Sequence, residues 1–171
     1  MPMHTHPNGF KANGVSSFPH PPKLGKTYHA LLEQCRASPG HVLVVIDPPD
    51  HMPEQIKAIA KAADRAGITA FAVGGSLGAQ GLVLDNCIDA IKSVSQKPVI
   101  LFPGYIATLS HKADAVYFMS LFNSLDPYYI SGAQIAAAYP VSKMQLETIG
   151  TAYLVFEPGQ AVGWVGSAKL L

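Results

Sequence analysis

Several features that define common protein classes are scarce in this chain. It has 171 residues but only two cysteines, and 13% of its residues are charged. Cys35 and Cys87 lie far apart, without Cys-x-x-Cys spacing and without a histidine cluster around either of them. A disulfide framework or a zinc site of the usual kind is therefore not expected, and both residues are interpreted as reduced structural thiols.

An excess of charge of one sign is also missing. Twelve basic residues stand against eleven acidic ones, for a formal net charge of +1. This balance lacks the broad basic field that binding to nucleic acid or to an anionic membrane usually needs. No apolar run approaches the roughly 18 residues of a membrane span, and no apolar signal core follows a charged N-terminal segment. The sequence predicts a soluble, cytoplasmic protein that binds no nucleic acid.

Common catalytic signatures are absent as well. The first apolar run is not followed by the Gly-x-Gly-x-x-Gly fingerprint of dinucleotide-binding folds, and the chain has no Walker pattern. It also has no Gly-x-Ser-x-Gly elbow and no His-Glu-x-x-His. These absences exclude the usual nucleotide sites and give no support to covalent hydrolase chemistry.

The chain does have the composition of one folded domain. Hydrophobic residues make up 49% of it, which at this length allows a sizeable core. Residues 1–24 contain five prolines and three histidines but few large aliphatic side chains, and they predict a flexible extension. The His4 and His6 pair is interpreted as part of that extension rather than as a metal site. Residues 25–171 remain for the folded domain.

Short apolar runs alternate with segments of helical periodicity in that domain. The runs cover residues 42–46, 69–73, 98–102, 114–119 and 151–156. Because they show no polar alternation, they predict strands covered on both faces, and the helices between them indicate parallel pairing. The fold class is therefore α/β, with about five parallel strands arranged as in a (β/α)8 barrel or a doubly wound sheet.

The helical segments have recognisable ends. One covers residues 25–37, with Tyr28, Leu31, Leu32 and Cys35 as its inner stripe; the next opens at Pro53 and stops at Gly67; the others cover 84–95 and 130–145, the last interrupted near Pro140. Residues 104–112 are too few for a crossover helix and predict a single turn around His111.

Polar residues follow the apolar runs, where α/β enzymes keep their chemistry. Asp47 closes the first run, and it is either a ligand for a hard metal ion or a turn residue before Pro48. Gly74, Gly75 and Ser76 follow the second run; they either bring backbone amides and a hydroxyl to a diphosphate or simply form a turn.

The later runs end in further candidates. By strand alternation Tyr153 and Glu157 share one face of the fifth run, so both are predicted to point into the interior or mouth of a barrel. Asn123 follows the fourth run and can bind a polar ligand, with Tyr128 and Tyr129 supplying aromatic surface beside it. Packing alone is the alternative for all three tyrosines.

Taken together, these segments resemble one enzyme family. Val-Ile-Asp-Pro, Phe-Ala-Val-Gly-Gly-Ser, Pro-Val-Ile-Leu-Phe-Pro-Gly, Ala-Asp-Ala-Val-Tyr-Phe-Met-Ser-Leu-Phe-Asn-Ser and Ala-Tyr-Leu-Val-Phe-Glu-Pro-Gly occur in the order found in geranylgeranylglyceryl phosphate synthases. Val-Gly-Trp-Val-Gly at 162–166 resembles the archaeal-type group. The resemblance implies a TIM barrel that transfers a geranylgeranyl group from its diphosphate to the primary hydroxyl of sn-glycerol 1-phosphate.

The resemblance also implies roles for particular residues. Asp47 and Ser76 match the family's metal-binding pair, so Mg2+ is the expected cofactor and would bind the diphosphate of the donor. Tyr153 matches a tyrosine near the reacting carbons, and Tyr129 matches an aromatic residue proposed to limit prenyl length. Gly74, Gly75, Asn123 and Glu157 complete the expected substrate-binding set.

Two departures from the family pattern accompany the resemblance. The first strand is usually followed by Asp-Pro-Asp-Lys, whereas this chain has Asp-Pro-Pro-Asp at 47–50, so an anion contact is altered. A complete barrel has eight strands and this chain has five, which indicates a fragment, a truncated product with impaired activity, or a chain completed as a homo-oligomer. The alternatives are an inactive remnant that binds prenyl diphosphate or a partner chain, and a heptaprenylglyceryl phosphate synthase.

Overall fold

The computed structural model describes residues 24–38, 40–75 and 77–171. The predicted extension, residues 1–24, lies outside the described residues except for Leu24. Helix α1, Lys26–Ala37, precedes the first strand, β1, at Leu43–Ile46. A 3-10 turn at Pro48–Asp50 leads to helix α2 at Pro53–Arg65, strand β2 at Ala70–Gly75 and helix α3 at Gly81–Lys92.

Two strands follow with no helix between them, namely β3 at Val99–Pro103 and β4 at Ala115–Leu121. A π-helical turn at Tyr128–Gly132 opens helix α4 at Ala133–Met144, which is followed by strand β5 at Glu147–Tyr153 and helix α5 at Gln160–Val165. The five strands form one parallel sheet in the order β1-β2-β3-β4-β5. The predicted α/β class, the strand number and the parallel pairing are confirmed.

Most of the core lies between the sheet and the helices α2, α3 and α4. The inner stripe of α3 is fully buried there, as its spacing predicts: Leu84, Cys87, Ile88 and Ile91. On the opposite face of the sheet a smaller cluster joins Ala70, Ile100, Ala115 and Ile149 to Tyr28 and Leu31 of α1. Helix α1 therefore covers that face of the sheet.

Several expectations need correction at the sheet edges. The first strand was expected to be covered on both faces, but Leu43 and Val45, which share one face of β1, are 36% and 62% exposed. Strand β1 lies at the edge of the sheet and pairs only with β2. Cys35 is exposed, since α1 reaches the sheet only through its first two turns. Helix α4 continues through Pro140 instead of breaking there.

The fifth strand lies earlier in the chain than its hydrophobicity suggests. The apolar run 151–156 was expected to be the strand, but the sheet pairs residues Glu147–Tyr153, with Glu147 opposite Ala115 of β4. Thr148 and Gly150 are exposed on one side of β5, so that side does not require apolar residues. A strand with one exposed face is invisible to a search for continuous apolar runs.

No helix among the described residues is long and apolar enough to cross a membrane.

The chemistry of the two thiols differs in this fold. Burial, followed by the negative charge of Asp47, raises the pKa of Cys87 to about 12, and Cys35 is exposed. We expect a thiol reagent at neutral pH to label one cysteine rapidly in the native protein and two in denaturant, as counted by mass spectrometry. Rapid native labelling of Cys87 would contradict the packing of α3.

Candidate active site

The carboxyl ends of the five parallel strands meet at one edge of the sheet, as the sequence predicts. Asp47 comes directly after β1, Gly74 and Gly75 end β2, and Tyr153 ends β5. Ser76 follows β2 but lies outside the described residues. The described candidates at this edge therefore belong to β1, β2 and β5, which include the strands at both ends of the sheet.

One oxygen of the Asp47 carboxylate has no hydrogen-bond partner among the described residues. This atom, Oδ1, is buried. Asp47 occupies the N-cap position of the 3-10 turn, yet its side chain makes no capping bond. The turn-residue interpretation therefore does not account for this side chain, because a turn aspartate would use its oxygen on the turn.

Burial is the main electrostatic influence on Asp47. Removal from water raises the pKa of its carboxyl above the ordinary value of 3.8, and the neighbouring charge of Asp50 raises it further, while His51 lowers it. The ionised form of Asp47 is thus less favourable in the protein alone than in a fully solvated aspartate. A bound cation would remove that penalty, because it supplies the opposite charge that the fold leaves out.

The two glycines of β2 make room for neighbouring groups. A methyl group on Gly75 would overlap the Asp47 carboxylate, and one on Gly74 would overlap the backbone carbonyl of Phe102 in β3. Neither has a positive φ, so the close approach is the reason for glycine here. In the structure Gly75 leaves space for the Asp47 carboxylate, and Gly74 allows β3 to lie close to β2. The approach of their backbone amides to a diphosphate stays a prediction.

Asp47 should cost the metal-free protein stability at neutral pH. The pKa of Asp47 in the folded state lies above its pKa in the unfolded chain. Between these two pKa values the folded state holds a proton that the unfolded chain has released. The free energy of unfolding therefore falls as pH rises through this interval and stays lower above it. We expect Asp47→Asn to unfold at a higher urea concentration than the wild type at pH 7, with the difference shrinking near pH 4. Equal midpoints at both pH values would contradict this prediction.

An apolar cleft lies beside the Asp47 edge of the sheet. Its walls come from β3, β4 and β5, from the link after β3, and from α4 and α5. The lining residues are Pro103, Gly104, Tyr105, Ile106, Leu109, Val116, Tyr117, Phe118, Met119, Leu121, Tyr129, Ala133, Gln134, Ala137, Tyr153, Val162, Val165 and Gly166. None of these lining side chains is charged. The cleft is therefore suited to a hydrocarbon chain and not to a phosphate.

Aromatic rings line one side of this cleft. Phe102 contacts Tyr153 edge to face, with ring centroids 5.7 Å apart, and contacts Tyr117 in the same way at 6.0 Å. Burial raises the pKa of both tyrosines, so their phenols stay protonated at neutral pH. Tyr153 can therefore offer a ring face or donate a hydrogen bond, but it is unsuited to act as a general base.

Tyr129 also reaches the cleft. It lies in the π-helical turn before α4, with its ring centroid 5.0 Å from that of Tyr128 in an edge-to-face contact. Burial is the first cause that raises its pKa, followed by the charges of Tyr128 and Asp126. The structure thus brings Tyr129 and Tyr153 to the same cleft.

Two predicted ligand-binding residues lie elsewhere. The amide of Asn123 donates to the carbonyls of Val155 and Lys169, at 2.8 and 2.7 Å, and accepts from the Val155 N–H, so it fastens backbone segments together. Glu157 is exposed and outside the cleft lining, because β5 ends at Tyr153 and its alternation does not extend that far. The expected shared face of Tyr153 and Glu157 is wrong for this reason.

Other lining residues escaped the sequence interpretation. Tyr117 was counted only as a member of an apolar run, and residues 104–112 were interpreted as a link with a single turn around His111. Helix α5, Gln160–Val165, was not predicted at all. Strand alternation could have indicated the role of Tyr117, because Tyr117, Met119 and Leu121 share one face of β4 and all three line the cleft.

The residues at the Asp47 edge fit a magnesium ion. A hard cation that keeps several waters needs one or two protein carboxylates, with the remaining ligands supplied by substrate phosphate oxygens. Asp47 offers one unpartnered, buried carboxylate oxygen for that purpose. The described residues contain no cluster of three or more His, Cys, Asp or Glu side chains, so this edge does not form an all-protein cage.

Several known proteins are similar to this chain in sequence. The chain is 46% identical over 147 residues to the geranylgeranylglyceryl phosphate synthase of Pyrococcus abyssi. The matched region covers 86% of this chain and 58% of that protein. It is 50% identical over 129 residues to the protein of that name from Methanosarcina acetivorans, covering 75% and 52%. The chain thus spans little more than half the length of these relatives.

Solved structures agree with the sequence relatives. The crystal structure of (S)-3-O-geranylgeranylglyceryl phosphate synthase from Thermoplasma acidophilum, in complex with its substrate sn-glycerol-1-phosphate, matches with a TM-score of 0.78 at 40% identity, over 86% of this chain and 59% of that one. The wild-type GGGPS of Thermoplasma volcanium matches with a TM-score of 0.72 at 43% identity, over 75% and 52%.

The fold and its strand-end site define the class of protein. Five parallel strands alternating with helices form part of a (β/α)8 barrel, with the candidate site at the carboxyl edge. The PcrB family model matches residues 33–171. The chain belongs to the PcrB family, and the resemblance seen in its sequence motifs is confirmed.

Proposed function

We propose that the protein is a Mg2+-dependent prenyltransferase that moves a geranylgeranyl group from geranylgeranyl diphosphate to the primary hydroxyl of sn-glycerol 1-phosphate. The observation that carries the proposal is an uncharged cleft and, at the same edge of the sheet, the Asp47 carboxylate, which has one buried oxygen without a partner among the described residues. A donor with a hydrocarbon tail and a metal-binding diphosphate needs both features. The names of the relatives, at 46 to 50% identity, support the same choice.

The spacing of the strands sets the orientation of such a donor. Asp47 follows β1, whereas the cleft begins at β3 and extends to β5. Neighbouring strands lie about 4.8 Å apart, so β1 and β4 are separated by about 14 Å along the edge. The diphosphate would bind near β1 and β2, with the tail extending across β3 into the cleft.

The proposed reaction breaks the bond between donor C1 and a diphosphate oxygen and forms an ether bond from C1 to the acceptor oxygen. Magnesium would neutralise charge on the departing diphosphate. Asp47 would hold that end of the donor, and the ring of Tyr153 offers a negative face to the allylic carbons as positive charge develops. The acceptor hydroxyl loses its proton to a base in this step.

The test is an incubation of the chain with Mg2+, geranylgeranyl diphosphate and labelled sn-glycerol 1-phosphate, followed by extraction of labelled ether lipid. We expect product that disappears with EDTA. Absence of product at high protein concentration would reject catalysis by this chain, and calorimetry with the donor alone would then decide whether it binds prenyl diphosphate without turnover. A run with heptaprenyl diphosphate separates the longer-donor alternative, and mass measurement in solution tests association into a homo-oligomer.

A further inference from the structure

The link between β3 and β4 is an unusual wall for a binding cleft. It has no helix, yet Gly104, Tyr105, Ile106 and Leu109 line the cleft on this side. Within the described part of the chain, its backbone N–H groups make only short-range turn bonds, such as Thr108 N–H to the Tyr105 carbonyl at 3.1 Å. A crossover helix would fix its own shape by internal hydrogen bonds, so this link depends more heavily on contacts from outside.

A buried serine supplies the main directional contact. The hydroxyl of Ser110 donates to Oδ1 of Asp85 on α3, at 2.5 Å, and accepts from the N–H of Lys112 at 3.2 Å. Ser110 is only 3% exposed. Its bond to Asp85 is short and charge-assisted, and it joins residues 25 positions apart, so it fixes the link relative to α3.

Ionic contacts continue the same seam between α3 and the link. Lys112 pairs with Asp89, and Lys92 pairs with Asp114 at 2.9 Å. Asp114 also accepts from the N–H of Val99, at the start of β3. These side chains are about one third or more exposed, so each ion pair adds little stability by itself. The bond from the buried hydroxyl of Ser110 to the partly buried Asp85 is the least exposed member of the seam.

We propose that the Ser110–Asp85 hydrogen bond is a tether that holds the cleft wall, residues 104–109, in the position that binds the hydrocarbon tail of the donor. Ile106 and Leu109 pack against the core and keep the wall close to the sheet. Such apolar contacts are not directional, whereas the tether sets where the wall lies along α3. Ser110 and Asp85 are therefore positioning residues, and the inference rests on the proposed prenyl donor.

The experiment compares Ser110→Ala, Asp85→Ala and the double variant with the wild type. Calorimetry measures binding of geranylgeranyl diphosphate and of inorganic diphosphate, both with Mg2+. We expect each single variant to bind the prenyl donor about tenfold more weakly, the double variant to bind no more weakly than the singles, and inorganic diphosphate binding to stay unchanged. Hydrogen exchange should speed up in residues 105–109 and remain unchanged in β2.

The matched control is Ser93→Ala. Ser93 lies at the end of α3 and donates to the Ala90 carbonyl at 2.7 Å, so the change removes a serine hydrogen bond without touching the link. It should leave donor binding as in the wild type. A wild type that fails to bind the donor would overturn the proposed function and the tether's role in it together. If the wild type binds the prenyl donor and the variants bind it equally well, the tether alone is overturned. The tether is also overturned if the variants lose affinity for inorganic diphosphate as much as for the prenyl donor.

Discussion

Replacing Asp47 with asparagine is expected to lower the Mg2+-dependent affinity for geranylgeranyl diphosphate about 100-fold, the upper end of the losses known for residues that merely support a metal ligand. Asparagine keeps the shape but removes the charge. One oxygen of this partly buried carboxylate is buried and has no hydrogen-bond partner among the described residues, so its charge is available to a cation. Calorimetry with and without EDTA measures the loss.

Asp50→Asn is the matched control for that change. Asp50 lies in the same turn and influences Asp47 through its charge, but its side chain is exposed. We expect less than about a threefold change in donor affinity, as for a screened surface charge. Donor affinity that survives Asp47→Asn and still depends on Mg2+ would reject Asp47 as the metal ligand and direct attention to Ser76.

Replacing Glu147 with alanine is expected to destabilise the fold by about 3 kcal/mol, from two hydrogen bonds to a charged group that are each worth about 1.5 kcal/mol. The Glu147 carboxylate accepts from the N–H groups of Thr27 and Tyr28, both at 2.8 Å, and so caps α1 from the start of β5. Gly25 allows this approach, because a methyl group there would overlap the carboxylate. Urea unfolding measures the difference.

Loss of this cap should be visible in the secondary structure as well. A negative charge at a helix N-terminus also offsets the helix dipole, so α1 should fray and expose the cluster that it covers around Ile100 and Ile149. Glu33→Ala, an exposed change on the same helix, should cost less than about 0.5 kcal/mol. A Glu147→Ala protein as stable as the Glu33→Ala protein would show that α1 is held by its apolar face alone.

The strand-end candidates show how far local sequence reasoning reaches. Asp47 was found because it closes a strand, and parallel strands bring their carboxyl ends to one edge whatever the details of packing. Tyr153 was predicted to lie within the fifth strand, and the structure places it at the end of β5. Glu157 was placed wrongly because its assignment needed the register of β5, which pairing with β4 decides. Asn123 was misjudged because its backbone partners lie 32 and 46 residues away.

The sequence by itself determined the α/β class, the parallel strands, the buried stripe of α3 and the family, because periodicity and motif order are local properties. Tertiary structure decided which residues share a site. Gly75 seats Asp47, Phe102 links Tyr117 to Tyr153, and Asp85 meets Ser110 only because distant segments fold together. Contacts of that kind depend on strand register and helix placement, which no local pattern encodes.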